Sequence, residues 1–144
     1  MINSFVISGV RYMLERDRLR IVAGDECLRR IADLMTGIAR RPADLVARFG
    51  GEEFGVVLPE TAGEGAFAVA DRLREQIQGW AFEHAGSPTG VLTISGGCAT
   101  LVPTAGSTAT GLLTAADGAL YRAKDAGRNR VERASVPIPA SRVI

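Results

Sequence analysis

The sequence predicts an α+β domain with a largely antiparallel sheet and helices packed mainly on one side, and three observations carry that reading. Apolar residues recur at helical spacing in three separate stretches. Two apolar runs are joined by a Gly-Gly pair, and a further run alternates apolar with polar residues. In chain order they give strand, helix, hairpin, helix, strand, helix, strand, with no internal repeat and no coiled coil.

Residues 4–10, with Phe5, Val6, Ile7 and Val10, read as a first strand, although Gly9 and the basic stretch after it oppose the assignment. If that strand fails, the sheet lacks a central member and exposes unpaired edges. From Gly24-Asp25 onward, Leu28, Ile31, Met35 and Ile38 mark one face of a helix. Asp25 offers a side-chain oxygen to cap its start, and Pro42 ends it. Leu45 to Phe49 and Glu53 to Leu58 are strands of a tight hairpin around Gly50-Gly51, because glycine reaches positive φ without a Cβ penalty.

Thr61 and Glu64 have the spacing of a capping box. The helix they open carries Ala66, Ala70, Leu73 and Ile77 inward and stops near Gly79. Val91 to Ala99 alternates as a strand, with a bulge expected at Gly96-Gly97. A last helix over residues 111–126 turns Leu112, Ala116, Leu120 and Ala123 inward and is terminated by Gly127. Asn129 to Val131 adds a short strand, and residues 134–144 read as a disordered tail.

A chain of 144 residues fits one domain, and a domain of that size buries about 70% of the surface its unfolded form exposes. Seventeen basic and sixteen acidic residues leave a net charge of +1, which builds no case for nucleic-acid or membrane binding. Cys27 and Cys98 belong to no CxxC or Cys/His cluster, so they read as packed thiols of a reducing, cytoplasmic compartment. His84 reads as a loop residue. The first ten residues lack both a basic start and an apolar run long enough to span a bilayer.

The chemistry concentrates at the hairpin. Glu52 and Glu53 follow the Gly50-Gly51 turn, and adjacent strand residues point to opposite faces, so the two cannot both enter the core. Two carboxylates at a rigid turn suit a hard cation carrying a nucleotide phosphate. An isolated Gly-Gly-Glu-Glu would be only a charged hairpin tip; its neighbours decide otherwise.

Asp44-Leu45-Val46-Ala47-Arg48-Phe49-Gly50-Gly51-Glu52-Glu53-Phe54 resembles the GGDEF signature of diguanylate cyclases with its preceding strand. The block from Ala116 to Asn129, with Ala119-Leu120-Tyr121, Ala123-Lys124 and Gly127-Arg128-Asn129, is similar to that family's ALYxAKxxGRN block. Ala23-Gly24-Asp25 before Leu28 resembles its GD helix start. The three blocks stand in family order over residues 17–132, so residues 1–133 are identified as a GGDEF domain with a divergent start at 1–16. The resemblance implies a ferredoxin- or palm-like nucleotidyl cyclase fold lacking a normal N-terminal part.

It also implies roles. Glu52 and Glu53 stand where the family binds Mg²⁺ (or Mn²⁺) and completes catalysis, and Gly50 and Gly51 let backbone approach the GTP phosphates. Lys124 and Arg128 match phosphate-binding cations, with i, i+4 spacing that puts them on one helix face; the plainer role is to offset the helix dipole. Asp25 matches the acid that reads the guanine edge. Arg41 and Asp44, with five residues between Asp44 and Gly50, match the RxxD site through which cyclic di-GMP inhibits such enzymes. The implied reaction joins two GTP molecules into cyclic di-GMP and pyrophosphate, and so requires a homodimer. Such domains also take signals from a sensor domain or partner protein.

The start departs from the family. Counting back from Gly24-Asp25 without gaps puts Ser8 and Val10 where the family has its metal-binding D-x-D, Arg16 at a guanine-binding Asn, and Arg20-Ile21 at a Gly-His pair. Three readings follow: a cyclase that tolerates the change, a cyclic di-GMP-binding or dimerisation module that has lost catalysis, and a truncated product that only folds.

Overall fold

In the computed structural model, residues 2–8, 18–50, 53–83, 90–102 and 105–135 are described. They form β1 (Ile2–Ser8), α1 (Arg18–Ile38), β2 (Leu45–Gly50), β3 (Glu53–Pro59), α2 (Gly63–Gly79), β4 (Ser95–Leu101), α3 (Ala109–Asp125) and β5 (Val131–Ser135). The strands make one sheet in the order β2-β3-β1-β4-β5. Every neighbouring pair is antiparallel except β4 and β5. That parallel pair needs a crossover, and α3 supplies it.

The first strand is the main correction. β1 ends at Ser8 and sits at the centre of the sheet, pairing with β3 from Ile2↔Pro59 to Ile7↔Phe54 and with β4 from Ile2↔Leu101 to Ser8↔Ser95. Ladder hydrogen bonds come from backbone groups that every non-proline residue carries, so an unfamiliar sequence still fills the position. Gly9 and Val10 lie outside the described residues, as do Arg16, Asp17 and His84.

Two of the three described helices share one face of the sheet. Cys27, Leu28, Ile31 and Met35 of α1 join Ala66, Ala70, Leu73 and Ile77 of α2 over Phe54, Val56, Leu58 and Cys98. Ala99, the next residue after Cys98, points the other way and packs with Leu112, Ala116 and Leu120 of α3. Gly97 also faces α3, and its importance is steric. A Cβ there would stand 2.1 Å from the Ala116 carbonyl oxygen and 2.3 Å from the Leu120 nitrogen. The β1–β4 register runs through Gly96 and Gly97 without a shift, so the expected bulge is absent; Gly97 marks close helix approach, and Gly96 lies against the Val131 side chain of β5.

Several boundaries move for local reasons. Asp25 lies seven residues inside α1 and so cannot be its N-cap. α2 begins after Ala62 with no side-chain cap; Thr61 turns its hydroxyl to the Pro59 carbonyl at 3.2 Å, so no capping box forms. α3 starts at Ala109, two residues early, because the Thr108 hydroxyl accepts from the Gly111 N–H at 2.9 Å. Val91 makes only an isolated bridge to Glu83, and β4 proper starts at Ser95. Ala134 and Ser135, expected in the tail, pair with Ala99 and Thr100; residues 136–144 lie outside the described residues.

Candidate functional site

Strand direction gathers Glu53 and Lys124, two of the sequence-predicted groups, at one end of the sheet. β3 begins at Glu53, β1 ends at Ser8 opposite Ser95, and β5 begins at Val131 opposite Gly96. One step beyond the Ile7↔Phe54 pair, Ser8 and Glu53 therefore finish their strands side by side. Phe54 is buried under α1 and α2, so alternation turns the half-buried Glu53 toward the opposite face, where α3 packs. α3 runs back along β4 and delivers its C-terminus, with Lys124, to this same end.

At the hairpin, Gly50 pairs with Glu53 and the register shifts between Arg48 and Gly50. That leaves a two-residue connection, Gly51-Glu52, which lies outside the described residues. Beside it a cavity of about 470 Å³ opens between α1 and the hairpin strands, walled by Leu28, Arg29, Val46, Arg48 and Phe54. Apolar walls with two guanidinium groups suit a flat base joined to an anion. Asp25 precedes Arg29 by one turn of α1. The reading from sequence missed Arg29 and Arg48 as cavity residues. The signal was present, since Arg29 follows Asp25 at i+4, but only the strand packing shows that this side of α1 borders an opening.

The turn after α3 corrects the picture of two cations on one helix. The helix ends at Asp125, and Arg128 lies past it in the left-handed region with φ 64°. The Arg128 N–H donates to the Ala123 carbonyl at 2.9 Å, and the N–H of Gly127, itself at φ 120°, donates to Lys124 at 3.3 Å. This paired closure is the Schellman arrangement, which needs a residue free of Cβ penalty at Gly127. Lys124 is half-buried on the last helical turn. Asn129 is also left-handed, at φ 45°. Its side chain accepts from Arg74 Nη1 and donates to Gln78 Oε1, each at 3.2 Å.

Arg41 and Asp44 are brought together as a built turn. Asp44 Oδ2 accepts from the Arg41 N–H at 3.1 Å, and the Asp44 N–H donates to the Arg41 carbonyl at 2.9 Å. The Arg41 guanidinium lies 3.6 Å from Asp44 Oδ1 and donates to the Pro59 carbonyl and the Thr61 hydroxyl. Asp44 is 5% exposed and Arg41 51%, so the arginine is the half available to a ligand. This pair sits by the far end of β3, away from Glu53.

A divalent cation fits only in company. Among the described residues no group of three or more His, Cys, Asp or Glu could hold a metal. Glu53 is one carboxylate, and its neighbour at the end of β1 is Ser8 rather than an acid. Mg²⁺ is commonly held by one or two carboxylates plus substrate phosphates. The described carboxylate Glu53 therefore suits Mg²⁺ or Mn²⁺ arriving on a nucleotide.

Comparison with known proteins bears on the same residues. The family model described as "Diguanylate cyclase, GGDEF domain" matches residues 17–130. The chain is 42% identical over 111 residues to diguanylate cyclase DgcP of Pseudomonas aeruginosa, covering 77% of this chain and 16% of that protein. It is 41% identical over 109 residues to the response regulator PleD of Caulobacter vibrioides, covering 75% and 24%. The chain thus spans less than a quarter of either relative. Among solved structures it is similar to the GGDEF domain of DgcB from Caulobacter crescentus in complex with c-di-GMP, with TM-score 0.78, 28% identity, and 92% and 77% of the two chains covered. It is also similar to the active GGEEF domain of a diguanylate cyclase from Vibrio cholerae, with TM-score 0.74, 27% identity, and 96% and 84% covered.

Proposed function

Because this chain belongs to the GGDEF-domain family of diguanylate cyclases, we propose that it binds GTP at the Glu53 end of the sheet and condenses two GTP molecules into cyclic di-GMP, releasing pyrophosphate. The observation that supports this best is the register that starts β3 at Glu53 on the face and at the end where α3 delivers Lys124 and the Arg128 turn. The base enters the cavity beside Leu28 and Phe54, with Asp25 reading its edge. Gly50 and Gly51 admit the phosphates, and Lys124 and Arg128 take their charge. Glu53 and Glu52 hold the nucleotide-borne Mg²⁺ or Mn²⁺, whose chemistry when bound is to neutralise phosphate charge and ease loss of the hydroxyl proton.

Each 3′-hydroxyl attacks the α-phosphate of the other GTP, and one domain holds one GTP, so two copies must face each other. The structure of diguanylate cyclase SiaD of Pseudomonas aeruginosa was solved with its activator SiaC; an activating partner or attached sensor belongs to the same proposal. A cytoplasmic setting does too, and no described helix is long and apolar enough to cross a membrane.

A second reading, binding of cyclic di-GMP without synthesis, is favoured by two observations. Ser8 stands at the strand end where the family pattern has an acid, and the Arg41–Asp44 turn is already assembled. One experiment separates the two. The purified chain is incubated with GTP and Mg²⁺, and chromatography follows cyclic di-GMP against Glu53→Ala, with calorimetric titration of cyclic di-GMP into wild type and Arg41→Ala. Product that disappears in Glu53→Ala supports the cyclase, with Arg41→Ala merely relieving product inhibition. No product, together with binding that Arg41→Ala abolishes, replaces it with the second reading. A folded chain that does neither refutes both.

A further inference from the structure

We infer that Asn129, held by Arg74 and Gln78 of α2, is a positioning residue that aims Arg128 at the nucleotide phosphates; the inference rests on the GTP-binding reading above. Two consecutive non-glycine residues, Arg128 and Asn129, occupy the left-handed region. L-residues adopt that conformation at a cost, and it persists only where the surroundings over-determine it. Here the surroundings are identifiable. Arg74 Nη1 donates to Asn129 Oδ1 at 3.2 Å and to Gln78 Oε1 at 3.3 Å, and Asn129 Nδ2 donates to the same Gln78 oxygen at 3.2 Å. The three groups close a ring.

Arg74 is fixed in turn by Asp71, whose Oδ1 accepts from its Nε at 2.7 Å. The Arg74 side chain is only 16% exposed, so these bonds meet little competition from water. Asparagine is suited to this duty: its amide offers a donor and an acceptor at once, and it tolerates the left-handed region better than most residues. The ring links α2, on one face of the sheet, to the turn that follows α3, on the other. Without it, the closure of α3 at Gly127 and the bond from Arg130 Nε to the Arg128 carbonyl at 3.1 Å still form, but the side-chain tie from Asn129 to α2 is lost.

The test uses the full chain and α,β-methylene GTP with Mg²⁺, an analogue whose bridging carbon blocks pyrophosphate release. Titration calorimetry compares wild type, Asn129→Ala, Arg74→Met, Arg128→Ala and the double variant Arg128→Ala/Asn129→Ala, with circular dichroism to confirm folding. Asn129→Ala and Arg74→Met are expected to weaken binding about tenfold in the wild-type background. In the Arg128→Ala background, Asn129→Ala is expected to add less than twofold, because its effect passes through that arginine. Asn129→Gly, which accepts the left-handed backbone without strain, should recover part of the loss. Undiminished binding in Asn129→Ala, or a full tenfold further loss in the double variant, overturns the inference while leaving GTP binding intact. A wild type that binds no analogue refutes the parent reading and this inference together.

Discussion

Gly97→Ala tests whether the distance between α3 and the sheet is set by a missing side chain. The new Cβ would lie 2.1 Å from the Ala116 oxygen, 2.3 Å from the Leu120 nitrogen and 2.9 Å from the Leu120 Cα, all backbone atoms that no rotamer change can move. Ordinary contact begins near 3.4 Å, so α3 must withdraw by roughly 1.3 Å. A gap of that order forfeits a quarter to a half of each dispersion contact along the Ala116–Leu120 seam. Overpacking a fixed core costs about 1–3 kcal/mol, occasionally more, and a backbone clash belongs at the top of that range. The stiffer unfolded chain returns about 0.4–1 kcal/mol. A net loss of about 2–2.5 kcal/mol follows, which for a domain of this size lowers Tm by roughly 8 °C. Urea unfolding followed by far-ultraviolet circular dichroism should show an earlier midpoint with an unchanged slope. Gly37→Ala is the control: nothing stands within 4 Å of its Cβ, inside α1, so it should gain about 0.5–1 kcal/mol. A Gly97→Ala loss below about 1 kcal/mol would show that α3 yields freely and refute the reasoning.

Two further outcomes follow from packing. Burial pushes both Cys27 and Cys98 thiols up to about 11, from 9.0, with Arg30 and Arg133 opposing only in part. N-ethylmaleimide in mildly alkaline buffer should therefore leave both unlabelled in the folded chain and label both in urea, as read by mass spectrometry. Because the folded values lie above the unfolded ones, this contribution to stability is intact below pH 9.0 and is lost as pH rises toward about 11. Arg30 lies 4.4 Å from the Trp80 ring centroid and 5.0 Å from that of Phe82. Arg30→Ala should cost about 0.5–1 kcal/mol by chemical denaturation and shift the emission of Trp80, the chain's one tryptophan.

What was legible in the sequence follows physical locality. Helical faces such as Ala66, Ala70, Leu73 and Ile77 are written in spacing, and the structure buries all four. The hairpin was legible because Gly50-Gly51 is a local turn signal, although β2 runs on through Gly50, which pairs with Glu53, so the connection falls one residue later. Features that depend on distant partners were read less well. Thr61 has the spacing of a capping box, yet its hydroxyl serves the Pro59 carbonyl and Arg41, a group twenty residues away in sequence. Gly97 looked like a strand defect because the helix that needs its bare backbone arrives only later in the chain. Motif spacing alone singles out Glu53, Lys124, Arg41 and Asp44, while the cavity walls and the Asn129 ring required the tertiary arrangement.

The first strand separates what the fold needs from what the chemistry needs. A central strand must present backbone donors and acceptors on both edges, and Ile2–Ser8 does so against β3 and β4 alike. Nothing in that requirement asks for an acid at the strand end, so Ser8 is structurally acceptable beside Glu53. Metal chemistry sets a different condition. A hydroxyl carries no charge to oppose a divalent ion, so in the cyclase proposed above that charge would have to come from Glu52 or from phosphate oxygens. A chain can therefore keep its family's sheet, the cavity beside Leu28 and Phe54 and the Arg41–Asp44 turn while, in the cyclase proposed above, turnover would rest on Glu53 and its immediate neighbour. For this reason the proposed binding and the proposed turnover must be measured separately: the elements that would serve the first are spread across the whole sheet, whereas the second would hang on one strand end.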